Sequence, residues 1–126
     1  MTNRAIVVGA AWLEIFVGIS LIAVIDIPCR LLFAATAEGV AIPLGRFAGI
    51  GLVGLGIACL PPRLSAPPRG GLLGLFAFNV GATIFLAWIA VATTFRGVLL
   101  WPAVILHAAI AATLLPQFLT KDSPVK

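Results

Sequence analysis

The sequence predicts an all-α integral membrane protein: a four-helix bundle with a short interfacial helix between helices 1 and 2. Three observations carry that expectation. Residues of the AVILMFWYC set make up 62% of the 126 positions and charged residues only 10%. Soluble domains hold about 45–50% apolar residues, glycine included, and roughly 25% charged ones. The apolar residues fall into four runs of the length needed to cross a hydrocarbon core of roughly 30 Å at 1.5 Å per helical residue. The connections between those runs collect most of the prolines, and together with the two ends of the chain most of the charge. A water-soluble chain of this size needs far more polar surface to cover its core, so the lipid bilayer is the first expected partner. One domain, residues 1–126, fits the length.

The first span is expected over residues 5–25. It is too long for the apolar core of a secretory signal, and it contains Glu14. Asp26-Ile27-Pro28 stops the run, with Asp26 suited to cap a new helix and Pro28 to its first turn. Cys29 to Ala35 is apolar but too short to cross, and reads as the interfacial helix with Arg30 reaching back to water. The second span, residues 43–60, is dense in glycine. Pro61 to Gly70 holds four prolines and is expected to be a stiff, extended connection. The third span covers residues 71–93 and the fourth residues 98–118, with a short turn at Thr94 to Gly97 between them. A polar tail, Thr120 to Lys126, follows. No internal repeat is visible, so an inverted-repeat transporter is not indicated.

The net charge of +4 comes from scattered Arg and Lys with no basic run or aromatic-plus-basic platform, which argues against a nucleic-acid partner. Counting by side, Arg4, Arg63, Arg69, Lys121 and Lys126 stand against Arg30 and Arg96. The positive-inside rule then places both termini and the proline connection in the cytoplasm. Cys29 and Cys59 fall near opposite ends of the bundle and cannot bridge within one chain, though a Cys29–Cys29 bridge across a dimer stays open. Two cysteines and one histidine cannot form a structural zinc site, so no metal is expected.

Inside the spans the ionisable residues are Glu14, Arg46 and His107, each on a different helix, and the remaining helix carries Asn79. A charge at a helix centre costs about 2.5–3.5 kcal/mol on insertion scales, so such groups usually face a partner rather than lipid. Counted from the cytoplasmic ends, Asn79 lies about 12 Å in, Glu14 about 14 Å, His107 about 16 Å and Arg46 about 21 Å. These depths fall in one layer near mid-membrane, with Arg46 the outlier. Its long side chain can reach along the bundle, so a buried Glu14–Arg46 pair is expected, with Asn79 and His107 completing the site. Gly45, Gly49 and Gly56, together with Gly18 in the first span, are the small residues expected to let helices approach closely. Trp101 is expected to anchor at an interface, while Trp12 and Trp88 sit deeper and read as packing residues.

Several stretches resemble a group of small bacterial four-helix membrane proteins without a described activity. They are Trp12-Leu13-Glu14, Gly45-Arg46-Phe47-Ala48-Gly49, Leu55-Gly56-Ile57-Ala58-Cys59, Asn79, and Leu100-Trp101-Pro102-Ala103-Val104-Ile105-Leu106-His107. The resemblance implies the fold and a bacterial inner-membrane location, and brings no function with it. The chain is also similar to small multidrug-resistance transporters in length, helix number and a lone first-helix glutamate. It departs from them in Arg46, in its charge bias and in lacking their aromatic motifs.

No Ser–His–Asp set, phosphate-cradling glycine loop or HExxH occurs, so neither an enzyme nor a resident cofactor is expected. Two functional readings remain. The first is an accessory or oligomer-forming subunit, in a homo-oligomer or a larger membrane complex, held together by the network of Glu14, Arg46, Asn79 and His107. The alternative is a carrier or channel-like protein for a small solute or protons. There Glu14 would be the proton or cation site, Arg46 its counter-charge and His107 a relay. The same site could also seat a lipid or quinone headgroup.

Overall fold

A computed structural model describes residues 2–60 and 68–119. Among the described residues the chain is all-helical. Its segments are α1 (Thr2–Ala23), α2 (Asp26–Phe33), α3 (Ala41–Cys59), α4 (Arg69–Ala92), α5 (Leu100–Leu114) and α6 (Pro116–Leu119). Four helices, α1, α3, α4 and α5 with α6, are long and apolar enough to cross a membrane. The proline-rich stretch 61–67 and the tail from Thr120 lie outside the described residues.

Observed ends fall within about three residues of expectation, and the differences have local causes. Asp26 does not cap α2. It is already helical, and its Oδ1 instead accepts the Ala37 N–H at 3.1 Å, pinning the following loop. Ala34 closes α2 in the left-handed conformation, at φ 55°, and donates its N–H to the Arg30 carbonyl. α5 begins at Leu100 rather than 98 because the preceding turn is committed elsewhere: Gly97 and Leu99 donate N–H to the carbonyls of Leu32 and Leu31. No side chain fits at Gly97, since a Cβ would meet the Leu31 and Leu32 carbonyls. α5 pauses at Leu115 because Pro116 has no N–H to continue the ladder.

α1 and α3 run antiparallel in backbone contact. Added Cβ atoms at Gly18 and Gly49 would each lie 2.6 Å from the other residue's carbonyl oxygen. One at Gly56 would lie 2.6 Å from the Ala11 carbonyl oxygen, and one at Gly45 would strike Ile25 Cδ1. The four glycines line one seam, and each missing side chain brings the helix axes closer, which adds dispersion contact along the whole pair. α4 and α5 form the second pair.

The two pairs meet firmly at the end where α1 and α4 begin. There Val7, Ala10 and Ala11 pack with Cys59, Leu75, Ile110 and Leu114, and Phe76 and Phe118 lie 5.3 Å apart. Cys59 Sγ donates to the Gly71 carbonyl at 3.1 Å. At the opposite end α2 provides the bridge. Phe33 joins the Leu86, Ile89, Ala90, Leu100 and Val104 cluster and lies 5.8 Å from Phe95. Large apolar side chains cover the outside. Trp12 and Trp88, expected to be packing residues, are each 58% exposed and point away from the bundle with Trp101.

Candidate functional site

Between the two firm ends the helix pairs part. Two spaces result, of about 680 and 870 Å³, which share Val17, Leu32, Leu52, Phe78, Leu86 and His107 in their walls. The smaller opens between α1 and α5, with Phe16, Val24, Ile27, Leu31, Leu99, Pro102 and Leu106 at exposed positions in its lining. The larger lies on the α3–α4 side, lined by Leu44, Gly45, Ala48, Gly81, Ala82 and Phe85 among others. Both are within the roughly 300–1,000 Å³ of small-molecule sites.

Glu14 lines the smaller cavity at its buried end. It shares a face of α1 with Ala10, Ala11 and Gly18, at offsets of four, three and four residues, and that face is turned inward. The residue is only 2% exposed. Its Oε1 is buried and has no hydrogen-bond partner among the described residues. Leaving a buried polar atom unpaired costs about 1–3 kcal/mol, which the surrounding packing must offset.

Asn79, fully buried on α4, holds His107 of α5 across the second pair. Its Nδ2 donates to the Leu75 carbonyl at 2.8 Å, and its Oδ1 lies 2.8 Å from His107 Nδ1. Thr83 donates its hydroxyl to the Asn79 carbonyl one turn on. The Phe78 ring stands nearly perpendicular to the imidazole, with ring centroids 5.8 Å apart. His107 lines both cavities, and its bond to Asn79 fixes where the ring sits. Glu14 and His107 therefore face one space, with Asn79 directly behind His107.

Arg46 is not with them. Its side chain is exposed, and no ion pair joins it to Glu14. The reason lies in the glycine seam. Gly45, Gly49 and Gly56 are turned onto α1, and at 100° per residue Arg46 lies about 60–100° round the helix from each of them. Close packing of α1 and α3 thus turns the guanidinium outward.

The cavity walls give no sign in the sequence. Val17, Leu52 and Phe78 are apolar residues in apolar helices, and only the parting of the pairs makes them a lining. Among the described residues no group of three or more His, Cys, Asp and Glu is placed to hold a metal ion. Cys29 is half-buried and Cys59 buried, and both are free. Compared with known proteins, the chain matches no family model, no curated protein and no solved structure.

Proposed function

We propose that the chain is a multi-pass protein of the bacterial inner membrane that holds and carries a small solute in the space between its two helix pairs. Its termini and proline connection face the cytoplasm. The observation that carries this reading is Glu14, a buried carboxyl group with an unpartnered oxygen, set in the wall of a cavity that His107 also lines. A packed structural network would ordinarily pair the carboxyl oxygen and leave little open space beside it. The carboxyl and imidazole are the main polar contacts, beside Ser20, whose hydroxyl donates to the Phe16 carbonyl, and the apolar walls hold the rest of the molecule. The chain is not an enzyme on this reading and needs no resident cofactor.

Native mass spectrometry of the full chain released from its own membranes tests it. Wild type is expected to retain a small bound molecule. Val17→Trp, which fills the wall common to both cavities, is expected to fold and emerge empty. A wild-type chain that is folded and empty, and that moves no lipophilic solute in proteoliposomes, refutes the proposal.

Assembly with a second copy is a further reading, supported by the outer face of α3. Phe47, Ile50 and Ile57 are exposed there, and added Cβ atoms at Gly51 and Gly54 would meet nothing within 4 Å. Crosslinking in native membranes from cysteines placed at Gly51 and Gly54 tests it; monomer alone would refute it.

A further inference from the structure

Resting on the reading of the cavity as a solute site, we infer that its ligand is an apolar molecule ending in a hydrogen-bond donor, read by His107 Nε2 and Glu14. The chain of bonds behind His107 sets this polarity. Asn79 Nδ2 donates to the Leu75 carbonyl, and a carbonyl can only accept. The amide is therefore oriented with Oδ1 toward His107, and Oδ1 also can only accept. The hydrogen between Oδ1 and Nδ1, 2.8 Å apart, must come from the imidazole.

In the neutral ring one nitrogen carries the hydrogen and the other a lone pair. With Nδ1 committed to Asn79, Nε2 is the acceptor. The ring that bears it lines both cavities. The Glu14 carboxyl in the wall of the smaller cavity has an unpartnered oxygen that also accepts, and Ser20, also in that wall, already gives its hydroxyl hydrogen to the Phe16 carbonyl. The Nε2 acceptor in apolar walls selects against a head that can only accept, because such a head leaves that lone pair unpaired. A hydroxyl can give its one hydrogen to Nε2, and an ammonium can donate to Nε2 and to the Glu14 oxygen together. Asn79 acts here as a positioning residue, since it touches the ring and not the ligand.

The chain has one histidine, so its ring nitrogens can be read without ambiguity. The full chain, labelled with 15N-histidine and placed in lipid nanodiscs, is titrated with 1-decanol, decylamine and decyl methyl ether. The expected result is hydrogen on Nδ1 in the free protein, and a shift of the Nε2 resonance on adding decanol or decylamine. The ether is expected to bind at least about tenfold more weakly, as loss of one buried hydrogen bond implies. The tighter of the two donors identifies the head as hydroxyl or ammonium. Asn79→Ala is expected to release the tautomer and erase the preference over the ether.

Hydrogen on Nε2 in the free protein, or equal binding of all three with Nε2 unmoved, overturns the inference and leaves the cavity reading intact. Failure of all three to bind overturns both. The wild-type comparison decides the matter even if the Asn79 variant does not fold.

Discussion

Gly49 is where the contact between α1 and α3 is most sensitive to a single carbon atom. A Cβ there would lie 2.6 Å from the Gly18 carbonyl oxygen and 3.0 Å from both Ile22 Cγ1 and Leu21 Cβ. Comfortable contact between non-bonded atoms is about 3.5 Å. The helices would have to part locally by roughly 1 Å, since the obstructing carbonyl is backbone and cannot swing aside. Overpacking of this kind costs about 1–3 kcal/mol, and the separation also loosens Gly56 against Ala11.

Gly51, two residues further along α3, supplies the reference, because a Cβ there meets nothing within 4 Å. Both Gly→Ala changes gain the same helix propensity, about 1 kcal/mol. Gly51→Ala is therefore expected to be neutral or stabilising, and Gly49→Ala to fall below it by about 1–3 kcal/mol. Reversible unfolding of the full chain in mild detergent, followed by far-UV circular dichroism, measures the difference. Equal stability of the two variants would refute backbone contact between α1 and α3 at this point.

Three further outcomes follow from the same geometry. Gly97→Ala is expected to push the α4–α5 turn off α2 and break the Leu99 N–H to Leu31 carbonyl bond. Hydrogen exchange at Leu99 should then speed up at least about tenfold, and unchanged exchange would count against the clasp. Arg46→Ala should change stability by no more than about 0.5 kcal/mol and leave decanol binding as it was. A loss of binding would instead reinstate Arg46 as a partner of Glu14. Burial, and then the charge of Asp26, push the Cys29 thiol above its ordinary value of 9.0. The thiolate is the reactive form, so iodoacetamide should label Cys29 slowly at pH 8 and faster only as the pH rises beyond 9. Asp26→Asn should speed labelling at a fixed alkaline pH, and equal rates would show that the carboxylate does not act on the thiol.

Much of the architecture was legible because the apolar runs are long and unbroken and their interruptions are chemically blunt. Asp26-Ile27-Pro28 and Arg96-Gly97 mark ends that no neighbouring helix could move far. The short helix between the first two long ones followed from an apolar stretch too brief to cross a bilayer. Details at the ends escaped because they depend on partners distant in sequence. Asp26 gave up capping to hold the Ala37 amide, and residues 97–99 gave up helix to bond α2.

The polar residues were legible as a set and not as an arrangement. Glu14, Asn79 and His107 stand out in any apolar helix, and similar depths suggested that they meet. Depth is one coordinate only; rotation about each helix axis is the other. For Arg46 that rotation is set by Gly45, Gly49 and Gly56 pressing onto α1, so a residue at suitable depth faces outward. Trp12 and Trp88 repeat the lesson, since their depth gave no account of the outward face they occupy.

Sequence alone determined the class of the fold and the small inventory of polar groups, because hydrophobic length and composition are properties of each segment by itself. Tertiary structure decided which of those groups share a space. The reason is that close glycine packing joins α1 to α3, and the Asn79–His107 bond and the Leu86 cluster join α4 to α5. Those pairs lock firmly to each other only near their ends. The cavity between them belongs to no single segment, so no reading of one helix at a time could contain it.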